Sequence, residues 1–175
     1  SKELPLSTQA SAYDAVVVAD VRGDFGEYVP FNTWLPRPVV GTQGMAPITW
    51  HRVFESWGAA QLQNRFRELA DRDMNSEDYA AWAAIRSIGT AVTDLNSVNP
   101  TEIRNFLFSD KFQLAAFKGR KVTFRDWNGQ MRQPIPLVHP RGLVATAPFE
   151  GFLHPNTELD TLGFDRPESE CRING

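Results

Sequence analysis

Cysteine is almost missing from this 175-residue chain, with Cys171 the single representative. One thiol excludes an intrachain disulfide and any metal site built on several thiolates. Positive charge is also short. Eighteen Lys and Arg against 21 Asp and Glu leave a net charge of -3, and no basic run exceeds a few residues, which argues against a nucleic-acid surface. No apolar run approaches the roughly 20 residues that cross a bilayer. The first residues, Ser1-Lys2-Glu3-Leu4-Pro5, have neither the basic start nor the apolar centre of a signal peptide. Repeats and low-complexity blocks are missing as well.

The familiar carriers of catalysis are also absent. There is no Gly-x-Ser-x-Gly elbow, no phosphate-binding loop and no dinucleotide fingerprint. His51, His139 and His154 are scattered, with no second histidine or carboxylate at zinc-ligand spacing. Asp20, Asp24 and Glu27 lack the regular oxygen spacing of a calcium loop.

What is present fits a folded domain with a real core, since 42% of residues are hydrophobic and 22% charged. The stretch from Tyr13 to Met45 organises the reading. Its apolar run Ala15–Ala19 stops at Asp20-Val21-Arg22-Gly23-Asp24, and Val39–Val40 stops at Gly41-Thr42-Gln43-Gly44. Each run reads as a buried parallel strand whose carboxyl end opens into a polar, glycine-containing loop, the place where open α/β sheets bind ligands.

Residues 1–12 read as a linker or disordered start, and Pro30, Pro36 and Pro38 forbid a continuous helix through residues 29–38. From Thr49 to about Asp71, Trp50, Val53, Phe54, Trp57, Leu62, Phe66 and Leu69 recur at near-helical spacing, giving two helices or one broken near Gly58. Asn75-Ser76-Glu77-Asp78 opens a helix reaching about Leu95, and Asn99-Pro100-Thr101-Glu102 opens a short one, with Glu102 placed to reach back to the cap. The period then becomes alternating. Asn128-Gly129 between two such runs predicts a two-residue hairpin turn with both residues at positive φ, and Leu143–Ala147 adds a strand. Residues 148–175 read as an extended tail over the surface, pinned by its aromatics.

This order of elements, with Val39-Val40-Gly41-Thr42-Gln43-Gly44, Gln61-Leu62-Gln63-Asn64-Arg65-Phe66, Asp78-Tyr79-Ala80-Ala81-Trp82, Ala115-Ala116-Phe117-Lys118-Gly119 and Glu158-Leu159-Asp160-Thr161-Leu162-Gly163, carries a resemblance. It resembles the C-terminal half of type I periplasmic substrate-binding proteins of ABC transporters. Within that Leu/Ile/Val-binding-like group it resembles the subfamily tied to quinoprotein alcohol catabolism and to pyrroloquinoline quinone (PQQ). The likeness spans about residues 13–173. It implies an α/β fold that is part of a two-lobed binding protein, with residues 13–147 contributing to both lobes and the N-terminal half lying outside this chain. It further implies a periplasmic location, no enzymatic activity, PQQ as a bound ligand rather than a required cofactor, and an ABC permease and a PQQ-dependent dehydrogenase as partners.

The resemblance places the loop of Asp20 and Arg22 in an inter-lobe cleft, with Arg22 set to grip a carboxylate in bidentate fashion. The residues alone fit a solvated turn capped by Asp20 equally well. Thr42, Gln43 and Gly44 stand where amino-acid binders of the group carry an acidic residue for the substrate ammonium. The neutral Gln43 argues against a free α-amino acid and suits an anion, while Gly41 and Gly44 by themselves would serve a tight turn. Trp34, Trp50, Trp57, Tyr79 and Trp82 enrich the middle of the chain in rings, on which a planar quinone would stack for about 0.5–1.5 kcal/mol per pair. Helical recurrence assigns most of these to the core and leaves Trp50 and Tyr79 as the exposed pair expected to touch ligand. Arg65 and Arg86 read as surface or inter-helix charges, and Lys111, Lys118 and Lys121 as exposed amines. Two rival readings remain, the same fold holding an amino acid or an alcohol-catabolism product, and a small hydrolytic enzyme using Asp20 and His51.

Overall fold

The structure, a computed structural model, describes residues 3–20, 24–41, 46–139 and 141–171. It is a mixed helix-and-sheet protein containing one small parallel sheet. A single helical turn, α1 (Leu4–Ser7), precedes β1 (Val16–Val18) and β2 (Val39–Gly41). These two strands pair in parallel with Val16 opposite Val39 and Val18 opposite Gly41. The expected burial is only partly met. Val18 is 6% exposed, but Val17 is 76% and Val40 42% exposed, because side chains alternate across a strand and only one face is covered.

The chain continues through β3 (Ala46–Pro47) into a non-helical stretch carrying Trp50 and Phe54 inward. Here the expectation of helix from Thr49 fails. A 3₁₀ turn at Ser56–Gly58, with Trp57 at φ 51° and Gly58 at φ 81°, interrupts any helix, and α2 begins at Ala59 and ends at Ala70. The four-residue spacing of Trp50 and Phe54 is met by a turn instead, in which the Phe54 amide bonds the His51 carbonyl at 3.0 Å.

Helix α3 (Ser76–Leu95) starts on a capping box. The Asn75 side chain accepts from the Asp78 amide, and Asp78 accepts from the Asn75 amide, 2.9 and 3.0 Å respectively. Its buried residues Tyr79, Ala83, Ser87 and Ala91 fall every fourth position along one face. Helix α4 (Pro100–Leu107) begins at Asn99, whose Oδ1 receives the amides of both Thr101 and Glu102.

The rest is antiparallel sheet. β4 (Leu114–Ala115), β5 (Lys121–Phe124) and β6 (Met131–Arg132) form one three-stranded sheet. β7 (Ile135–His139) and β8 (Gly142–Ala147) join β3 in another, with a register shift between Leu137 and Val138. The Asn128-Gly129 turn differs from the two-residue form expected. The Gly129 amide bonds the Arg125 carbonyl at 3.0 Å, the Arg125 amide bonds that of Gln130 at 2.9 Å, and Gly129 has φ 70° while Asn128 does not share the positive φ. Asn128 instead accepts the Gln130 amide, so four residues rather than two turn the chain.

Two core clusters lie on either side of Trp82 and Met131, which pack against both. One gathers Trp50, Phe54, Ala59, Leu62, Met74, Tyr79 and Ala83, the other Phe112, Leu114, Ala116 and Val122. The tail is held by charge rather than by its rings. Phe149, Phe152 and Phe164 are 44, 76 and 71% exposed, whereas Asp160 is buried and bonds Arg125 Nε at 2.9 Å and Arg132 Nε at 2.7 Å. Arg125, 1% exposed, also donates to Gln130 and to the Leu162 and Phe164 carbonyls, so its charge is compensated on every side. Burial alone would raise the Asp160 pKa, but the bonds from Arg132, Thr157 and Arg125 outweigh it and hold the carboxyl below its ordinary value.

Candidate functional site

The parallel register of β1 and β2 brings both carboxyl ends to one edge, with Val18 opposite Gly41. Asp20 shapes the first of them. Its Oδ1 accepts the Asp24 amide at 3.1 Å, and its Oδ2 accepts the amides of Phe25 and Gly26 at 2.8 and 2.7 Å. The carboxylate thus gathers the backbone N–H groups of three consecutive residues, Asp24 to Gly26, and Asp20 is only 4% exposed. Arg22, Thr42, Gln43 and Gly44, four of the expected ligand residues, lie outside the described residues. Behind the loop, Arg141 ties Glu27 at 3.2 Å and sits 5.0 Å above the Tyr28 ring. The Tyr28 hydroxyl and Arg141 lower the Glu27 pKa, and Glu27 in turn raises that of Tyr28.

Trp50 and Tyr79 are not the exposed pair expected. Each is 1% exposed, and they stack on each other with centroids 4.8 Å apart and planes at 13°. Both polar tips find partners inside, which removes the cost of full burial. Trp50 Nε1 donates to Gln63 Oε1 at 2.9 Å, and the Tyr79 hydroxyl donates to the Ala116 carbonyl at 2.9 Å. Burial also pushes the Tyr79 phenol well above its ordinary pKa. No hydrogen bond joins Asp20 to His51. The His51 Nδ1 accepts the Val53 amide instead, and burial with Arg52 beside it lowers the imidazole pKa.

The lysine expected at the surface is also inside. Lys118 is 1% exposed, donates to the Thr49 carbonyl, and lies 4.8, 5.6 and 5.9 Å from the ring centroids of Tyr79, Phe54 and Trp50. Burial brings its ammonium down to about 7, while three ring faces and a carbonyl still favour the cation. Among the described residues no three His, Cys, Asp or Glu side chains gather in a way that would hold a metal ion.

A second place with site-like geometry was not expected. A cavity of about 570 Å³ opens between α2, α3 and the turn joining β4 to β5. Trp57, Trp82 and Phe117 supply rings to it, and Arg65, Arg86 and Lys121 supply charge. The signal was in the spacing. Leu62 and Arg65 sit three apart on α2, and Trp82 and Arg86 four apart on α3, so each helix sets an apolar residue and a cation on one face. What hid it was the turn bearing Phe117, 31 residues or more from either arginine in sequence. No family model, curated protein or solved structure matches this chain.

Proposed function

We propose that this chain is a non-catalytic, periplasmic solute-binding protein of an ABC-type uptake system, belonging to a two-lobed type I fold. In this reading it takes PQQ or a related small polar anion between the lobes and presents it to a permease or to a PQQ-dependent dehydrogenase. The observation that carries the reading is the parallel, in-register pairing of β1 and β2, which brings the carboxyl ends of both strands, Val18 and Gly41, next to each other. Ligands of open α/β sheets sit at such carboxyl ends. Asp20 supports it by holding the amides of Asp24, Phe25 and Gly26 just beyond the first strand. On the second segment Gln43 adds no negative charge, which suits an anion.

The non-catalytic part of the reading rests on the Asp20 carboxylate. It accepts three backbone amides and makes no bond to His51, whose Nδ1 accepts the Val53 amide. Titrating PQQ while following intrinsic tryptophan fluorescence tests the ligand. Saturable quenching at micromolar concentrations is expected, and its absence contradicts the assignment to PQQ. A thermal-shift panel of amino acids and alcohol-derived acids then separates the ligand classes, because only a compound that binds the native state raises the melting temperature.

A further inference from the structure

The cavity between α2, α3 and the β4–β5 turn has a construction that its neighbours do not require. Two aromatic residues, Trp57 and Phe117, hold positive φ of 51° and 56°. Bulky residues avoid that region, and strain of this sort is kept where the surrounding structure enforces it. The enforcement is reciprocal. A Cβ on Gly58 would stand 3.1 Å from the Phe117 ring, and one on Gly119 would stand 2.6 Å from the Trp57 indole. Each strained aromatic therefore lies over the glycine of the opposite turn, and the two turns clasp. Both rings border the cavity, with Trp82 packed 5.6 Å from Phe117.

The charge is as uneven as the backbone. The chain is net acidic, yet the cavity is bordered by Arg65, Arg86 and Lys121, and among the described residues no carboxylate pairs with any of them. Several other arginines are matched. Arg67 meets Asp73, Arg72 meets Asp78, and Arg120 at the same rim meets Glu158. Guanidinium groups left open beside ring faces suit a flat molecule that carries carboxylates at its edge. The rings would cover its faces and the fork-shaped donors would grip its acid groups. The volume of about 570 Å³ lies within the range of small-molecule pockets.

We infer that this cavity is a binding site for an aromatic polycarboxylate, with Trp57, Trp82 and Phe117 covering the ring and Arg65 and Arg86 holding two of its carboxylates. It shares no residue with the strand-end segments, and because PQQ is also an aromatic polycarboxylate the two sites are separated by the arginine variants below rather than by tryptophan quenching.

The probe is benzene-1,3,5-tricarboxylate, titrated into the full chain by calorimetry, with its neutral trimethyl ester and inorganic phosphate as parallel arms. Saturable binding of the tricarboxylate with a Kd below about 1 mM is expected. The ester should not bind at that concentration, and phosphate should bind at least about tenfold more weakly. The Arg65→Gln, Arg86→Gln double variant should weaken binding by about tenfold or more with an unchanged melting temperature, since neither arginine pairs with a carboxylate among the described residues. Trp57→Ala should weaken it by a smaller factor, and Arg22→Ala should leave it unchanged. Any of three results overturns the inference: no tricarboxylate binding, full binding retained in the double arginine variant, or loss on Arg22→Ala, which would move the site to the strand ends. Equal binding of phosphate removes the ring from the recognition and overturns the stated ligand class.

Discussion

The two places where this chain could hold a small anion are built in opposite ways. The strand-end edge is made by backbone. Two three-residue strands exchange ladder bonds, Val17 and Val40 face solvent, and one carboxylate, Asp20, gathers three amides. The cavity between α2, α3 and the β4–β5 turn is made by side chains and shares Leu62 with the core of Trp50, Phe54 and Tyr79, while a buried Arg125–Asp160 pair fastens the tail to the neighbouring sheet. Local stability follows buried apolar contact, so the strand-end edge is the part expected to open readily and the cavity the part expected to stay formed. A ligand that orders the edge would therefore carry an ordering cost that one entering the preformed cavity avoids.

The strongest way to break this contrast is to remove the charge that the core depends on. Arg125→Ala leaves the buried Asp160 with Arg132 as its one remaining guanidinium partner among the described residues and strips the donors from the Leu162 and Phe164 carbonyls. Loss of about 3–5 kcal/mol of stability is expected, read as the shift of the urea unfolding midpoint. A change under about 1 kcal/mol would show that the tail contributes little to the core.

Asp20→Ala addresses the other region. It leaves the amides of Asp24, Phe25 and Gly26 without their acceptor, a local cost of about 1–3 kcal/mol. Hydrogen exchange at those three amides should quicken by roughly tenfold or more, while exchange in α3 stays as it was. Equal acceleration in α3 would mean that the two regions unfold as one.

Lys118 gives a pH-dependent difference. Its folded pKa of about 7 lies below the ordinary lysine value of 10.5, so the unfolded chain binds the proton more tightly. Stability therefore rises with pH from about 7 to about 10.5, at up to about 1.4 kcal/mol per pH unit. Lys118→Met should remove that rise, and an unchanged slope in chemical denaturation across this window contradicts the burial effect. The smallest effect belongs to Val17→Thr, at an exposed strand position, where a change within about 0.5 kcal/mol is expected in the same unfolding curves.

What could be read in the residues was whatever a few neighbours decide among themselves. Asn75 with Asp78, and Asn99 before Pro100, fix their helix starts within one turn, and the two valine runs declare strands that pair in parallel. What could not be read depends on partners far along the chain. Trp50 and Tyr79 are buried because Gln63 and the carbonyl of Ala116 wait for their polar tips, 13 and 37 residues away. Lys118 is buried because its turn aims it at the Thr49 carbonyl, 69 residues back. The stretch from Thr49 imitates a helix because a loop also delivered Trp50 and Phe54 inward, and Trp57 at positive φ then stops the α-helical path. Arg65 and Arg86 looked like ordinary surface charges until the Phe117 turn closed the space between them.

Amide-resolved NMR with PQQ, carried out on the Arg65→Gln, Arg86→Gln variant so that the cavity is silenced, puts the strand-end reading to the test. The proposed function requires shift changes that saturate with PQQ at the Asp24, Phe25 and Gly26 amides and in the segment after Gly41, with α2 and α3 unmoved. Saturating PQQ that leaves those strand-end signals in place would contradict it.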